Sequence, residues 1–247
     1  MASISERIYI RWLPDEAKEP TSTLVTTSAK SFFVDIRILQ DPPHELYWGF
    51  AGISYKDGSQ GRWMHTVDSR SDNPTEDFGS FEQLTNGDWL EKGKMLDFDD
   101  GKVKVYEEVW RDSEILPRIS TVLVLEEDGG KAFQINSAAN AAKGTIVRVG
   151  NYCQGIMKVK GEVTCERWTL DQGAEEWRRI FRTGNGVLPC QVACIDHSVQ
   201  AKDEMQGGGD TEGNHEIRKF EIHTEIHNRD EITYGEHKWR IVENSTW

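Results

Sequence analysis

The sequence predicts an all-β fold built as two antiparallel β-barrels in tandem, and three observations carry that expectation. Short runs alternating apolar and polar residues recur at roughly 8–12-residue spacing, with turn residues between them. Their composition is aromatic and β-branched, as strands prefer. A stretch from Gly52-Ile53 to Arg62-Trp63 and Asp68 returns as Gly155-Ile156 to Arg167-Trp168 and Asp171, each sixteen positions from Gly to Asp. A second echo follows, Glu107-Glu108-Val109-Trp110-Arg111 against Glu175-Glu176-Trp177-Arg178. Such a repeat is too long for a solenoid unit and suits two small domains.

The elements follow in order. Arg7 to Trp12 alternates until Pro14 breaks it, and Thr23 to Thr27 and Phe32 to Ile38 form the next strands. Tyr47 to Tyr55 is aromatic, with glycines where a bent strand wants them. Lys56-Asp57-Gly58 turns the chain into Arg62 to Asp68. The window Phe81 to Met95 reads as a short helix, centred on Asp88 to Lys94, or as two irregular strands. Asp99-Asp100-Gly101 is another hairpin turn, leading into Val103 to Trp110. Pro117 interrupts the pattern and divides the chain into units 1–116 and 117–247.

In the second unit Thr121 to Leu125 is a strand, and Ser137 to Ala142 is the other brief helix candidate. Thr145 to Gly150, Tyr152 to Val159, Val163 to Leu170 and Trp177 to Thr183 read as strands joined by short turns. A glycine-rich loop spans Gln206 to Gly213, and Glu216 to Ile226 and Trp239 to Glu243 close the unit. About eight strands per unit is the size of a lipocalin-like barrel, which encloses one small ligand. The repeated hairpin is expected to mark equivalent strands of the two barrels.

Composition bounds the function. Hydrophobic residues make up only 37 % of 247, but nine Trp, nine Phe and six Tyr compensate by burying large areas each. A net charge of −13 with no basic stripe argues against nucleic acid and anionic membrane surfaces. No run of eighteen apolar residues exists, and the opening Met1-Ala2-Ser3-Ile4-Ser5 lacks a signal-peptide core, so a cytoplasmic location is expected. Cys153, Cys165, Cys190 and Cys194 read as buried free thiols, lacking zinc-site spacing. On a strand, His223 and His227 lie about 13 Å apart, too far for one ion, so no metal is expected. Neither a Gly-x-Ser-x-Gly nucleophile elbow, a phosphate loop nor a dinucleotide fingerprint is present, and no cofactor is expected.

Tyr9 to Trp12, Trp48-Gly49-Phe50-Ala51-Gly52, Tyr106 to Asp112, Val149 to Gly155 and Lys238 to Glu243 together resemble the fungal Hri family. The resemblance runs in order over most of the chain and implies two tandem lipocalin-like barrels and contact with an Hrr-type casein kinase. The same scaffold resembles the hetero-Diels–Alderases of fungal tropolonic-sesquiterpene pathways, which join a tropolone quinone methide to a humulene-type terpene. These shared motifs build the fold and do not choose between the branches.

The candidate site residues come from strand alternation, since alternate side chains point into a barrel. Trp63 shares a face with His65, and Tyr106 shares one with Glu108 and Trp110. Trp48 and Phe50 add rings to the first barrel. In the second, Tyr152 shares a face with Gln154, Arg167 and Trp168 straddle two, and Trp177 shares one with Arg179 and Phe181 while Arg178 shares the other with Ile180 and Arg182. Aromatic walls would hold planar, hydrophobic substrates, and Arg, Gln or Tyr groups would bond their carbonyl oxygens. His65, Tyr106 and Glu108 are the candidate acids for a hydroxyl leaving as water. The competing reading is ordinary barrel core, with Glu and Arg satisfying each other. The resemblance, taken with the aromatic-rich and motif-free composition, implies a cofactor-free cyclase performing an intermolecular hetero-Diels–Alder reaction. Its rivals are an adaptor docking a casein-type kinase and a lipocalin-like carrier. The oligomeric state stays open, a homodimer included.

Overall fold

The computed structural model describes residues 1–73, 75–126, 141–171, 173–195 and 231–247. The first eight strands are β1 (Ser3–Trp12), β2 (Thr21–Thr27), β3 (Phe32–Leu39), β4 (Leu46–Asp57), β5 (Gln60–Asp68), β6 (Glu76–Gln83), β7 (Trp89–Asp97) and β8 (Lys102–Asp112). Each pairs antiparallel with its sequence neighbour, and β8 returns to β1 to close a barrel. Closure leaves no free edge, which is how an all-β unit avoids pairing with other chains.

The chain then crosses residues 113–118 into β9 (Ile119–Glu126), β10 (Lys143–Val149), β11 (Tyr152–Val159), β12 (Glu162–Asp171) and β13 (Glu176–Thr183). A short helix α1 (Cys190–Cys194) precedes β14 (Glu231–Tyr234) and β15 (His237–Thr246). Among the described residues these strands form a seven-stranded antiparallel sheet, ordered β13-β12-β11-β10-β9-β15-β14. The Gln206 to Gly213 loop, the Glu216 to Ile226 strand, His223 and His227, and most of the Ser137 to Ala142 helix candidate lie outside the described residues.

Three apolar clusters explain the arrangement. Strand β3 is buried on both faces: Phe33, Asp35 and Arg37 point into the barrel, and Val34, Ile36 and Ile38 point out. The outward set packs against Val122, Val124, Val147, Val149, Ile156 and Cys165 of the second sheet. On its far side that sheet buries Leu123, Ile146, Cys153, Met157, Trp239 and Ile241 against α1 and Leu188. A strand with two buried faces reads as a continuous apolar run, which accounts for the texture of β9 and β10. All four cysteines are buried and unbridged.

Polar latches cross the interface. Gln154 Nε2 donates to the carbonyls of Leu24 and Val34 at 2.9 and 3.0 Å, and its oxygen accepts Arg167 Nε at 2.8 Å. Arg167 also donates to the Ile36 carbonyl at 2.5 Å and to the Ser22 hydroxyl at 3.0 Å. Glu243 accepts the Ser28 hydroxyl at 2.7 Å and the Ala29 and Lys30 amides at 3.0 Å.

Of the two readings of Phe81 to Met95, the strands hold and the helix over Asp88 to Lys94 does not: the window falls on β6 and β7, because Trp89, Glu91 and Met95 alternate into the barrel and closure requires a seventh strand. The repeated stretches fall on hairpins in both halves, β4–β5 and β11–β12, the fourth and fifth strands of the first half and the third and fourth described strands of the second. Lastly, Phe181 leaves the face of Trp177 and Arg179. Arg167 pairs with Phe181 and Trp168 with Arg179, so Ile180 bulges out and inverts the alternation beyond it. Phe181 consequently packs toward the barrel, and Arg182 turns to Glu166 on the opposite side.

Candidate functional site

The barrel interior holds a cavity of about 430 Å³, within the range of roughly 300–1,000 Å³ usual for small-molecule sites. Its rings include Phe33, Trp48, Phe50, Trp63, Phe81, Trp89 and Trp110, supplied by β3 to β8. Trp48 packs tilted against Phe50 at 4.3 Å between centroids, and Phe33 meets Phe50 edge-on at 5.9 Å. Into this apolar wall the strands project Asp35, Arg37, Glu91, Tyr106 and Glu108.

The polar groups form two linked sets. In the first, Glu108 Oε1 accepts Arg7 at 2.5 Å and Arg37 at 3.2 Å, while Arg37 also donates to Asp35 Oδ2 at 2.9 Å. Arg7 is held in turn by Glu19, with contacts of 2.8 and 3.0 Å. Burial drives the Asp35 carboxyl above its ordinary range despite Arg37, and its Oδ1 has no protein partner among the described residues. That oxygen is therefore an anchor with spare hydrogen-bonding capacity.

In the second set, Tyr106 Oη donates to Glu91 Oε1 at 2.6 Å and Trp110 Nε1 donates to Glu91 Oε2 at 2.9 Å. Burial, reinforced by the nearby Glu108 charge, raises Glu91 to about 8, so it is largely protonated at neutral pH. Burial and the same carboxylate push the Tyr106 phenol further up, and it stays neutral. Two glycines make this possible. Gly79 and Gly93 face each other across β6 and β7, and a Cβ on Gly93 would lie 2.6 Å from Tyr106 Oη. One on Gly79 would lie 2.7 Å from Glu91 Oε1. The bare backbone lets both side chains lie flat on the wall.

His65 stands behind this surface. It stacks on Phe50 at 4.4 Å, and its Nδ1 bonds Asp68 Oδ2 at 3.2 Å. Its Nε2 lies 3.1 Å from Asp77 Oδ2, close enough to pair as ions but poorly aligned for a hydrogen bond. Burial alone would lower its pKa, but the bond to Asp68 and the pairing with Asp77 outweigh that and raise it to about 9. His65 is thus an imidazolium clamped between carboxylates and does not line the cavity.

The family model described as Protein HRI1 matches residues 3–211. The chain belongs to the HRI1 family. Among solved structures, it is similar to the crystal structure of an uncharacterized protein, YLR301w, from Saccharomyces cerevisiae, with 14 % identity over 100 % of both chains and a TM-score of 0.68. At that identity the likeness concerns the fold alone. No curated protein matches the chain.

The sequence-derived residues of this HRI1-family chain divide by half. Trp48, Phe50, Trp63, Tyr106, Glu108 and Trp110 come together around the cavity. Those of the second half do not join them. Gln154 and Arg167 face the outside of the barrel and bond its backbone, and Tyr152 packs in the same interface. Trp168 lies in the second core with its Nε1 on Glu166 at 2.7 Å, and Trp177 packs beside it under Arg148, 5.1 Å from the guanidinium. Sequence reasoning missed Phe33, Asp35, Arg37, Trp89 and Glu91. Their signal was the same alternation, in Phe33-Asp35-Arg37 and Trp89-Glu91.

Proposed function

We propose that the first barrel is the working site of a cofactor-independent cyclase, and that it joins a tropolone quinone methide to a humulene-type olefin by a hetero-Diels–Alder reaction. The observation that carries this reading is the pairing of a carboxylic acid protonated near neutrality, Glu91, with Tyr106 inside a wall of indole and phenyl rings. The fit to the particular substrates comes from the scaffold's resemblance to tropolonic hetero-Diels–Alderases.

The chemistry needs little else. A hydroxymethyl tropolone loses water when the Tyr106 hydroxyl turns from Glu91 to the substrate and protonates the departing hydroxyl, while the Glu91 proton replaces it on Tyr106 Oη. The substrate's enolic O–H then returns a proton to Glu91, leaving a neutral quinone methide. Its O=C–C=C unit adds across the olefin, forming one C–O and one C–C bond with no change in oxidation state. Arg37 and the Asp35 edge are suited to orient the carbonyl oxygen, and the rings hold the terpene. Fixing two partners in a near-attack arrangement supplies roughly 7–11 kcal/mol of barrier reduction, and a donor at the developing oxyanion adds about 3 kcal/mol.

The test is direct. A hydroxymethyl tropolone and a humulene-type terpene alcohol are incubated with and without the protein, and initial rate and enantiomeric composition of the adduct are measured. Acceleration with one dominant stereoisomer is expected. Equal rates and equal stereochemistry would remove the catalytic reading; saturable substrate binding in that case would leave a carrier.

A further inference from the structure

A second chamber, of about 240 Å³, shares Arg37, Trp48 and Met95 with the inner cavity, so these side chains form the partition between the two. The two compartments differ in charge. Asp35, Glu91 and Glu108 line the inner one alone. The outer one is lined by Arg7, Lys18, Arg37 and Arg70, with Asp99 its single carboxylate among the described residues.

Arg7 and Arg37 are neutralised by Glu19, Asp35 and Glu108. Lys18 and Arg70 are not: among the described residues neither has a carboxylate within ion-pairing distance, although Asp99 stands at the same rim. Arg70 is nonetheless rigidly built in. Its Nε and Nη2 donate to the Tyr47 carbonyl at 3.0 and 2.5 Å. Its guanidinium carbon sits 4.2 Å from the centres of both the Tyr47 and Phe98 rings. That leaves Nη1, a buried donor with no protein partner among the described residues. Lys18 is fixed at the mouth because its backbone exchanges hydrogen bonds with Ile10 at 2.8 and 2.9 Å. The rest of the lining is apolar: Ile10, Trp12, Pro20, Leu39, Leu96 and Phe98.

Two cations without a counter-charge at the wall of an otherwise apolar chamber favour an anion, and a charged acceptor is their natural complement. Phosphate or sulfate would arrive heavily hydrated and find few donors among these rings. A carboxylate attached to an apolar body satisfies both features. We propose that this outer chamber binds a small carboxylic acid with a ring-sized apolar body, its carboxylate paired with the Arg70 guanidinium and the Lys18 ammonium. The site is independent of the cyclase reading and stands whether or not the inner cavity is catalytic.

The test uses the full chain and 2-naphthoate as probe, with 2-naphthalenemethanol as its uncharged counterpart, both followed by equilibrium dialysis. Naphthoate is expected to saturate at one equivalent and to bind at least about tenfold more tightly than the alcohol. Arg70→Gln should weaken naphthoate about tenfold, as loss of a charge-assisted bond does. Lys18→Gln, at an exposed position that leaves the fold intact, should weaken it about threefold and reduce its salt dependence. Glu91→Gln, which alters only the inner cavity, should leave naphthoate affinity unchanged. The proposal is overturned if acid and alcohol bind alike, if both cation variants keep full affinity, if Glu91→Gln abolishes binding, or if no saturable binding occurs. Naphthoate binding in a protein that fails the cyclisation assay would remove the cyclase reading and leave this site standing.

Discussion

The interior of the first barrel and the far side of the second sheet are built from similar alternating strands, yet among the described residues one encloses a cavity and the other an apolar cluster. In the second half, Trp239, Leu123, Ile146 and Ile241 meet three cysteines and α1, and side chains of graded size close the space. In the first, the corresponding volume receives charged and aromatic groups that satisfy one another. Arg37 of β3 bonds Asp35 on its own strand and reaches across to Glu108 of β8, three strands away, while Tyr106 lies along Glu91 of the neighbouring strand. Polar side chains held to one another in this way, with rings between them, line the interior without filling it.

The comparison can be broken most sharply at its filled end. Trp239→Ala should cost about 3–5 kcal/mol, since a fully buried indole leaves a cavity its neighbours cannot close. Trp63→Ala, at the half-buried cavity wall, should cost less than about 1.5 kcal/mol. Urea unfolding of both variants measures the difference, and equal losses would mean the barrel is not hollow in solution.

Glu91→Gln should reduce cyclisation about 10²-fold without lowering the unfolding midpoint, because the amide keeps the contacts to Tyr106 and Trp110 but cannot donate an acidic proton. Initial rates against pH add a second reading: the wild-type rate should fall as pH rises through about 8, with the ionisation of Glu91. Next in size is the interface. Arg167→Ala strands Gln154 and the Ile36 carbonyl and should cost about 1–3 kcal/mol in stability without altering the cavity. Ligand affinity alongside unfolding separates those two effects.

The last expected effect is a slope of stability with pH. The folded pKa values of Glu91, about 8 against 4.5, and His65, about 9 against 6.5, both lie above their unfolded ones. Between each pair of values the folded chain holds a proton that the unfolded chain releases, so stability falls as pH rises. For His65 the loss occupies the window from 6.5 to about 9. Melting temperatures across that window should decline, and Glu91→Gln should flatten the decline below about 8.

Much of the barrel and part of its cavity could be read from the chain. Alternation alone groups Tyr106 with Glu108 and Trp110, and these three do share the interior. The same logic groups Tyr152 with Gln154, and they too share a face, but that face is pressed against the barrel. Periodicity reports which side chains point together; what covers them is a tertiary fact. Glu91 stayed hidden for another reason. Leu90, Glu91 and Lys92 are good helix formers, and barrel closure overrides that local preference. The Ile180 bulge has no marker in the chain, since one added residue changes no composition.

The Glu243 latch carries a temporal consequence. Its three donors, Ser28, Ala29 and Lys30, lie more than two hundred positions earlier in the chain, and its strand β15 sits inside the second sheet between β9 and β14. A nascent chain can close the first barrel once β8 has left the ribosome. The apolar flank of β3 is open to the cell until β9 to β12 emerge to cover it, and the β2–β3 turn waits longer, until translation reaches β15 and Glu243. Through those intervals synthesis speed and chaperone capture become determinants of yield.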